Sequence, residues 1–269
     1  MADGFTLDKF AQHPFYQEVN RRLVALTNLR AGQCIVDLGA GTGAVTRLLV
    51  EQVDGGASEV IAIEPSDSAM EVAKRNLENI GGAVVRFVQG GAEKLSQLVN
   101  RPADAVFFCN AIHLVPEKEA VLREIRKTLR EGGTFSFNTS FYHGAEPQES
   151  EQFYRRWMMK TLRVLKSRYG IMPDRTKVEA RRQLTEAEYV QLLEENGFQV
   201  REKEVMTVQM TLGGFEAISE YSLWIEGVLP GVPLETGRDS LIEGAREAFR
   251  ELGLKSSPRN WLLVVASPA

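Results

Sequence analysis

Cysteine is nearly missing from this chain. Two thiols, Cys34 and Cys109, in 269 residues exclude a disulfide-stapled scaffold and are too few for a cysteine zinc cluster. They also argue against thiol-dependent chemistry on a metalloid. Each lies in a short apolar run read as a central strand, so both are expected buried and unreactive in a reducing compartment. Histidine is equally sparse, with His13, His113 and His143 as the whole supply, and no metal-ligand set is read. No apolar run approaches the ~18 residues a helical membrane span needs. The start of the chain has no basic segment followed by an apolar one, so no export signal is read and a cytoplasmic location is expected. An excess of positive charge is missing too. The net charge of −4 does not suit a nucleic-acid binder, and no Asn-Pro-Pro-aromatic phrase occurs.

The most informative stretch that is present runs Cys34-Ile-Val-Asp37-Leu-Gly39-Ala-Gly41-Thr-Gly43-Ala-Val-Thr. It reads as a buried strand ending in an acid, a glycine turn, and the start of a helix. Glycines at 39, 41 and 43 allow positive φ and a close approach of backbone to a ligand. The helix that follows points free N–H groups at the same spot, which favours an anionic group there. A second strand, Glu59-Val-Ile-Ala-Ile-Glu64, also ends in a carboxylate, as a βαβ unit that grips ribose hydroxyls requires. The loose dinucleotide fingerprint fits as well, so a nicotinamide oxidoreductase is a rival. Asp37 weighs against it, because a carboxylate beside the turn repels pyrophosphate. It suits a ligand carrying an ammonium next to a carboxylate, such as the methionine end of S-adenosylmethionine. The plainer structural reading makes Asp37 a helix cap and nothing more.

These phrases resemble the class I S-adenosylmethionine-dependent methyltransferase family. The resemblance continues through Phe87-Val-Gln-Gly-Gly91-Ala-Glu-Lys-Leu95, Ala105-Val-Phe-Phe-Cys-Asn110-Ala-Ile-His113 and Leu129-Arg-Glu-Gly-Gly133-Thr. It implies an α/β, Rossmann-like, seven-stranded, mostly parallel sheet with helices on both faces. It implies cofactor contacts at Asp37, Gly39, Ala40, Gly41, Gly43, Glu64, Pro65, Met70, Gly91, Ala92, Glu93 and Asn110. Gly91 is a departure: family members often carry there an acid that bonds the adenine amino group. The adenine edge then relies on backbone near Ala92, on Glu93, or on water.

Along the chain, strands are read at about 33–38, 60–64, 84–90, 105–109, 134–140, 198–211 and 260–266, with helices at 8–28 (broken near Pro14), 43–53, 66–80, 117–130 and 184–197. Gly55-Gly56 and Gly81-Gly82 mark turns, and Arg130-Glu-Gly132 is read as the stop of helix 117–130. The organisation expected is an N-terminal helical cap (1–30), a cofactor-binding core (31–143), a helical lid insertion (144–184), core again (185–212), a second helical insertion (213–257) with helices near 215–228 and 237–252, and a last core strand (258–269).

His113, after the fourth strand, is a candidate general base; the competing reading has it shape the pocket floor. Tyr142 and His143, after the fifth strand, are the other catalytic candidates, or else lid contacts. Substrate-binding candidates are Tyr16, Arg155, Arg156, Trp157 and Trp224. From Glu151 to Arg182 ten basic residues face three acidic ones, a charge of +7 that leaves −11 for the rest of the chain. Phe153, Trp157, Met158, Leu162, Leu165 and Tyr169 form an apolar stripe at helical spacing. A solvated basic face over a packed stripe is the plain reading. An apolar acceptor with an acidic group is the sharper one, and docking on an anionic membrane surface is a third. The expected function is methyl transfer from S-adenosylmethionine to a small apolar or amphiphilic acceptor, O-methylation being preferred over C- or N-methylation. A catalytically silent cofactor-binding or lipid-surface module is a further rival.

Overall fold

The computed structural model describes residues 5–53, 57–174 and 183–269. The expected turn at Gly55-Gly56 and five charges of the basic segment (Arg175, Lys177, Glu179, Arg181 and Arg182) lie outside the described residues. The elements are α1 (Asp8–Ala11), α2 (Pro14–Leu26), β1 (Cys34–Leu38), α3 (Ala44–Gln52), β2 (Glu59–Glu64), α4 (Asp67–Leu77), β3 (Val84–Gln89), α5 (Leu95–Leu98), β4 (Ala103–Cys109), α6 (Lys118–Thr128), β5 (Leu129–Thr139), α7 (Glu151–Val164), α8 (Glu186–Glu195), β6 (Phe198–Thr211), α9 (Leu212–Ile218), α10 (Ser222–Val228), α11 (Leu234–Leu252) and β7 (Ser256–Pro268).

The seven strands form one sheet in the order β3-β2-β1-β4-β5-β7-β6. β1 pairs in parallel with β2 and β4, and β5 pairs antiparallel with β7. The chain runs outward from β1 to β2 and β3, then returns to the other side of β1 at β4. That reversal opens a crevice at the carboxyl ends of β1 and β4, where ligands bind in open α/β sheets. β1 is buried at every position, which is why it reads as an unbroken apolar run: parallel strands covered on both faces have no polar side. Helix α8 starts with a capping box in which the Thr185 hydroxyl accepts from Glu188 N and the Glu188 carboxylate accepts from Thr185 N. It gives way to β6 at Gly197, whose φ is +78°.

One expected boundary is wrong. Helix 117–130 was expected to stop at Gly132, yet α6 ends at Thr128 and β5 begins at Leu129. The phrase Arg130-Glu-Gly-Gly133 is an irregularity within the strand. Pairing passes from Ala103↔Leu129 directly to Ala105↔Thr134, and Arg130 Nε donates to Asp104 Oδ1 at 2.6 Å across the gap. A β-bulge and a helix stop ask for the same residues.

The chain divides into two compact units. One comprises Gln17–His143, Gln183–Met206 and Trp261–Ala269; the other comprises Met1–Tyr16, Gly144–Arg182 and Thr207–Asn260. The first holds the crevice. The second is mainly helical and is built on α7 packed along α11. Its centre is aromatic, with Phe153, Trp157, Phe215 and Phe249 in mutual ring contact.

Candidate functional site

The glycine turn leaves β1 with three left-handed residues: Gly39 (φ +71°), Gly41 (φ +54°) and Gly43 (φ +86°). Gly39 N and Ala40 N both donate to Ile63 O, at 2.8 and 3.0 Å, which ties the turn to β2. A Cβ on Gly43 would come within 2.9 Å of the Leu77 side chain, so this glycine serves the packing of α3 against α4. A Cβ on Gly41 would meet nothing within 4 Å. Gly41 therefore answers to backbone geometry and to open space beside the turn, not to a protein neighbour. Helix α3 begins at this point on Gly43, which has no side chain to cap it, so the leading N–H groups of the helix are directed at that space.

Two carboxylates sit behind the turn. Asp37, 1% exposed, accepts from the Thr46 hydroxyl at 2.6 Å and from the Thr46 backbone N–H. It thus ties β1 to the first turn of α3. These bonds do not settle its charge. Burial pushes the Asp37 carboxyl up to about 7, Glu64 pushes in the same direction, and the Thr46 bonds only partly oppose them. Glu64, also buried, accepts from Gly41 N through one oxygen and from Ser66 N through the other, both at 2.9 Å. A carboxylate offers about four acceptor positions, so roughly half of Glu64's capacity is used. Ser66 caps α4 by accepting from Ala69 N. Pro65 is exposed, whereas Met70 is buried on the packed side of α4 with Ala69 and Ala73.

The end of β3 explains its missing acid. A Cβ on Gly91 would collide with both carboxylate oxygens of Glu93. Glu93 thus folds back over Gly91 and fills the volume that a longer side chain at 91 would take. Ala92 opens the short helical turn between them. At the end of β4, Asn110 is held at φ +52°, a left-handed conformation uncommon outside glycine. Its backbone N–H donates to Asn138 O, and Trp261 Nε1 donates to its side-chain oxygen.

Residues 35–133 match a family described as a methyltransferase domain. The chain carries a class I S-adenosylmethionine-dependent methyltransferase domain. Human arsenite methyltransferase is 30% identical over 157 residues, which take in 52% of this chain and 42% of that one. A ubiquinone/menaquinone biosynthesis C-methyltransferase of Citrobacter koseri is 32% identical over 114 residues, covering 42% of this chain and 45% of that one. The chain therefore spans less than half the length of the curated relatives it matches. The solved structure of YjhP from E. coli superposes with a TM-score of 0.62 at 15% identity, over 98% of this chain and 99% of that one; at that identity the likeness concerns the fold alone. S-adenosylmethionine is the cofactor of this methyltransferase family.

The methyltransferase domain places the catalytic candidates differently from one another. His113 is half-buried, its ring stacked on Phe141 at 4.2 Å and its Nδ1 3.1 Å from the Thr139 hydroxyl. The Thr139 oxygen also accepts from Phe141 N. If Nδ1 carries the proton and donates to Thr139, Nε2 is the basic nitrogen. Tyr142 is buried, whereas His143 is exposed and tied by its backbone N–H to Leu184 O.

The substrate-binding candidates all lie in the helical unit. Trp157 is wholly enclosed; its Nε1 donates to Leu241 O and its ring stacks on Trp224. Tyr16 is buried with its ring against Phe10. Arg155 pairs with Glu151 and Arg156 faces Glu251 at 3.5 Å. Lys160 pairs with Glu251, Arg163 with Glu247 and Arg168 with Glu243. Arg156, Lys160 and Arg163 of α7, with Arg168 just beyond it, are therefore zipped against the acidic face of α11. Sequence reasoning missed the cation that is buried there. Arg259 is 5% exposed, donates to the Tyr154 hydroxyl at 2.7 Å, and lies over the rings of Tyr154 and Trp224 at 5.6 and 5.7 Å. An arginine inside a strand pattern carries no local signal of this; only the fold brings it to Trp224.

Proposed function

We propose that this chain is a methyltransferase that transfers the sulfonium methyl of S-adenosylmethionine to a small, largely apolar or amphiphilic molecule. The observation that carries the reading is Asp37: a buried carboxylate whose proton affinity is raised to about 7, next to a turn with open space at Gly41. The position asks for a cation, and the N-terminus of α3 beside it asks for an anion. A zwitterionic amino-acid tail answers both. Glu64 has acceptor positions left for two ribose hydroxyls, and Glu93, folded over Gly91, offers a carboxylate to an adenine amino group. Asp37, Gly39, Ala40, Gly41, Gly43, Glu64 and Glu93 are the cofactor residues of this proposal. Met70 supports the wall from within α4.

Bound S-adenosylmethionine supplies an activated methyl group that needs only an aligned nucleophile. The residues contribute position, exclusion of water and, where the nucleophile is protonated, a base. His113, oriented by Thr139, is the residue proposed for that role.

The rivals weaken for specific reasons. Pyrophosphate beside Asp37 and Glu64 would meet two buried carboxyl groups, which disfavours a nicotinamide enzyme. Among the described residues, Arg156, Lys160, Arg163 and Arg168 are paired with carboxylates of α11, which leaves less of a free basic face for a lipid-surface module. Arsenite is a thiophilic acceptor, yet Cys34 and Cys109 are both buried. The Ile35↔Ala105 register sets them about five residues apart along neighbouring strands, roughly 16 Å at the strand rise. One arsenic atom cannot meet both. Titration with S-adenosylhomocysteine and with NAD tests the reading: binding of the first alone is expected, and binding of NAD alone would overturn it.

A further inference from the structure

Four buried polar groups form a ladder across the carboxyl end of the sheet. Asn20 and Asn138 are 1% and 0% exposed, Trp261 is 0% exposed and Asn110 8%. Trp261 Nε1 donates to Asn110 Oδ1 at 2.9 Å. Asn110 N donates to Asn138 Oδ1 at 3.0 Å, and Asn138 Nδ2 donates to Asn20 Oδ1 at 2.8 Å. Two rungs fix the rest. An indole N–H and a backbone N–H can only donate, so each amide must turn its oxygen toward them. The Asn110 carboxamide therefore cannot flip. Its Nδ2 is buried and has no hydrogen-bond partner among the described residues, on a residue already held in a left-handed conformation. A buried donor left unpaired is costly, and strain of this kind collects at functional sites.

The direction of the side chain is set by the register. Asn110 follows Cys109, which pairs with Asn138 of β5; Thr139 in turn pairs with Leu262 of β7, next to Trp261. The carboxamide thus reaches over β5 toward β7. The glycine turn lies on the opposite, β1 side of β4, where Ala111 Cβ comes within 3.3 Å of a Cβ placed on Gly39. We propose that Asn110 Nδ2 donates a hydrogen bond to an oxygen of the methyl acceptor, and that Trp261 and Asn138 are positioning residues that keep this donor facing the substrate. This rests on the methyltransferase reading and deepens it. A donor that cannot turn welcomes phenolic, enolic or carboxyl oxygen. It disfavours an amine, whose N–H groups would meet another N–H.

The test uses the full chain saturated with S-adenosylhomocysteine and titrated with a matched pair, 4-butylphenol and 4-butylaniline. The wild type is expected to prefer the phenol by about tenfold, the worth of one well-placed hydrogen bond. Asn110→Asp keeps the shape and the bond from Trp261 but replaces the donor. It should abolish the preference while changing S-adenosylhomocysteine affinity by less than about threefold. Trp261→Phe frees the amide to turn and should narrow the preference in a protein that still binds the cofactor product. Equal binding of the pair by the wild type, or binding of neither, overturns the proposal without any variant. A loss of S-adenosylhomocysteine affinity of about tenfold or more in Asn110→Asp also overturns it, by assigning the donor to the cofactor's carboxylate. Failure of the wild type to bind S-adenosylhomocysteine at all is a different result, and it sinks the methyltransferase reading itself.

Discussion

Replacing Asp37 with asparagine removes a charge while keeping shape and most hydrogen bonding. In the ligand-free protein the carboxyl sits at about 7 rather than its ordinary 3.8. At ~1.4 kcal/mol for each pH unit, the ionised form without a cation costs the fold about 4 kcal/mol. Because the folded value is raised, the contribution of Asp37 to stability is greatest below its unfolded value. It is lost progressively as pH climbs from about 4 to about 7, and is constant above. A bound ammonium reverses the preference, so cofactor-product binding below pH 7 must expel the proton. Affinity for S-adenosylhomocysteine should therefore rise about tenfold per pH unit between 5 and 7 and level off toward 8, with close to one proton released near pH 6. Calorimetry in buffers of different ionisation enthalpy reads that proton directly. Asp37→Asn should raise the thermal midpoint at pH 8, weaken binding by about a hundredfold there, and flatten the pH profile. Affinity independent of pH in the wild type, or undiminished in Asp37→Asn, would refute the reasoning.

Three further outcomes are expected. Gly41→Ala should cost about 1–2 kcal/mol of stability from its left-handed φ and more than about tenfold in S-adenosylhomocysteine affinity, whereas Gly43→Ala, pressed against Leu77, should register mainly as a lower melting midpoint. Glu93→Ala should weaken S-adenosylhomocysteine by about tenfold, and Gly91→Asp added to it should recover most of the loss, because the two carboxylates compete for one volume; no recovery by calorimetry would separate Glu93 from adenine. Trp157→Phe, which loses the bond to Leu241 O inside the aromatic centre, should lower stability by about 1–3 kcal/mol in denaturant melts while S-adenosylhomocysteine affinity stays put.

The Rossmann-like core of this protein was legible because its constraints are local. A buried parallel strand reads as an apolar run, a left-handed turn demands glycine, and a strand-ending acid at a fixed spacing marks the second arm of the βαβ unit. Arg130-Glu-Gly-Gly133 misled because a bulge and a helix stop have the same composition. The basic run of α7 left a solvated face, an acceptor site and a membrane surface open because its partners, Glu243, Glu247 and Glu251, lie some eighty residues further on in α11, beyond any local pattern. Arg259, Glu93 over Gly91 and the ladder from Asn20 to Trp261 were illegible for the same reason: each depends on residues brought together by the sheet or by side-chain direction.

The most direct test of the account is a crystal structure with S-adenosylhomocysteine bound. The account predicts the amino group of the ligand on Asp37, its carboxylate at the first turn of α3, and both ribose hydroxyls on Glu64. A ligand bound elsewhere, or one whose amino group makes no contact with Asp37, would contradict it.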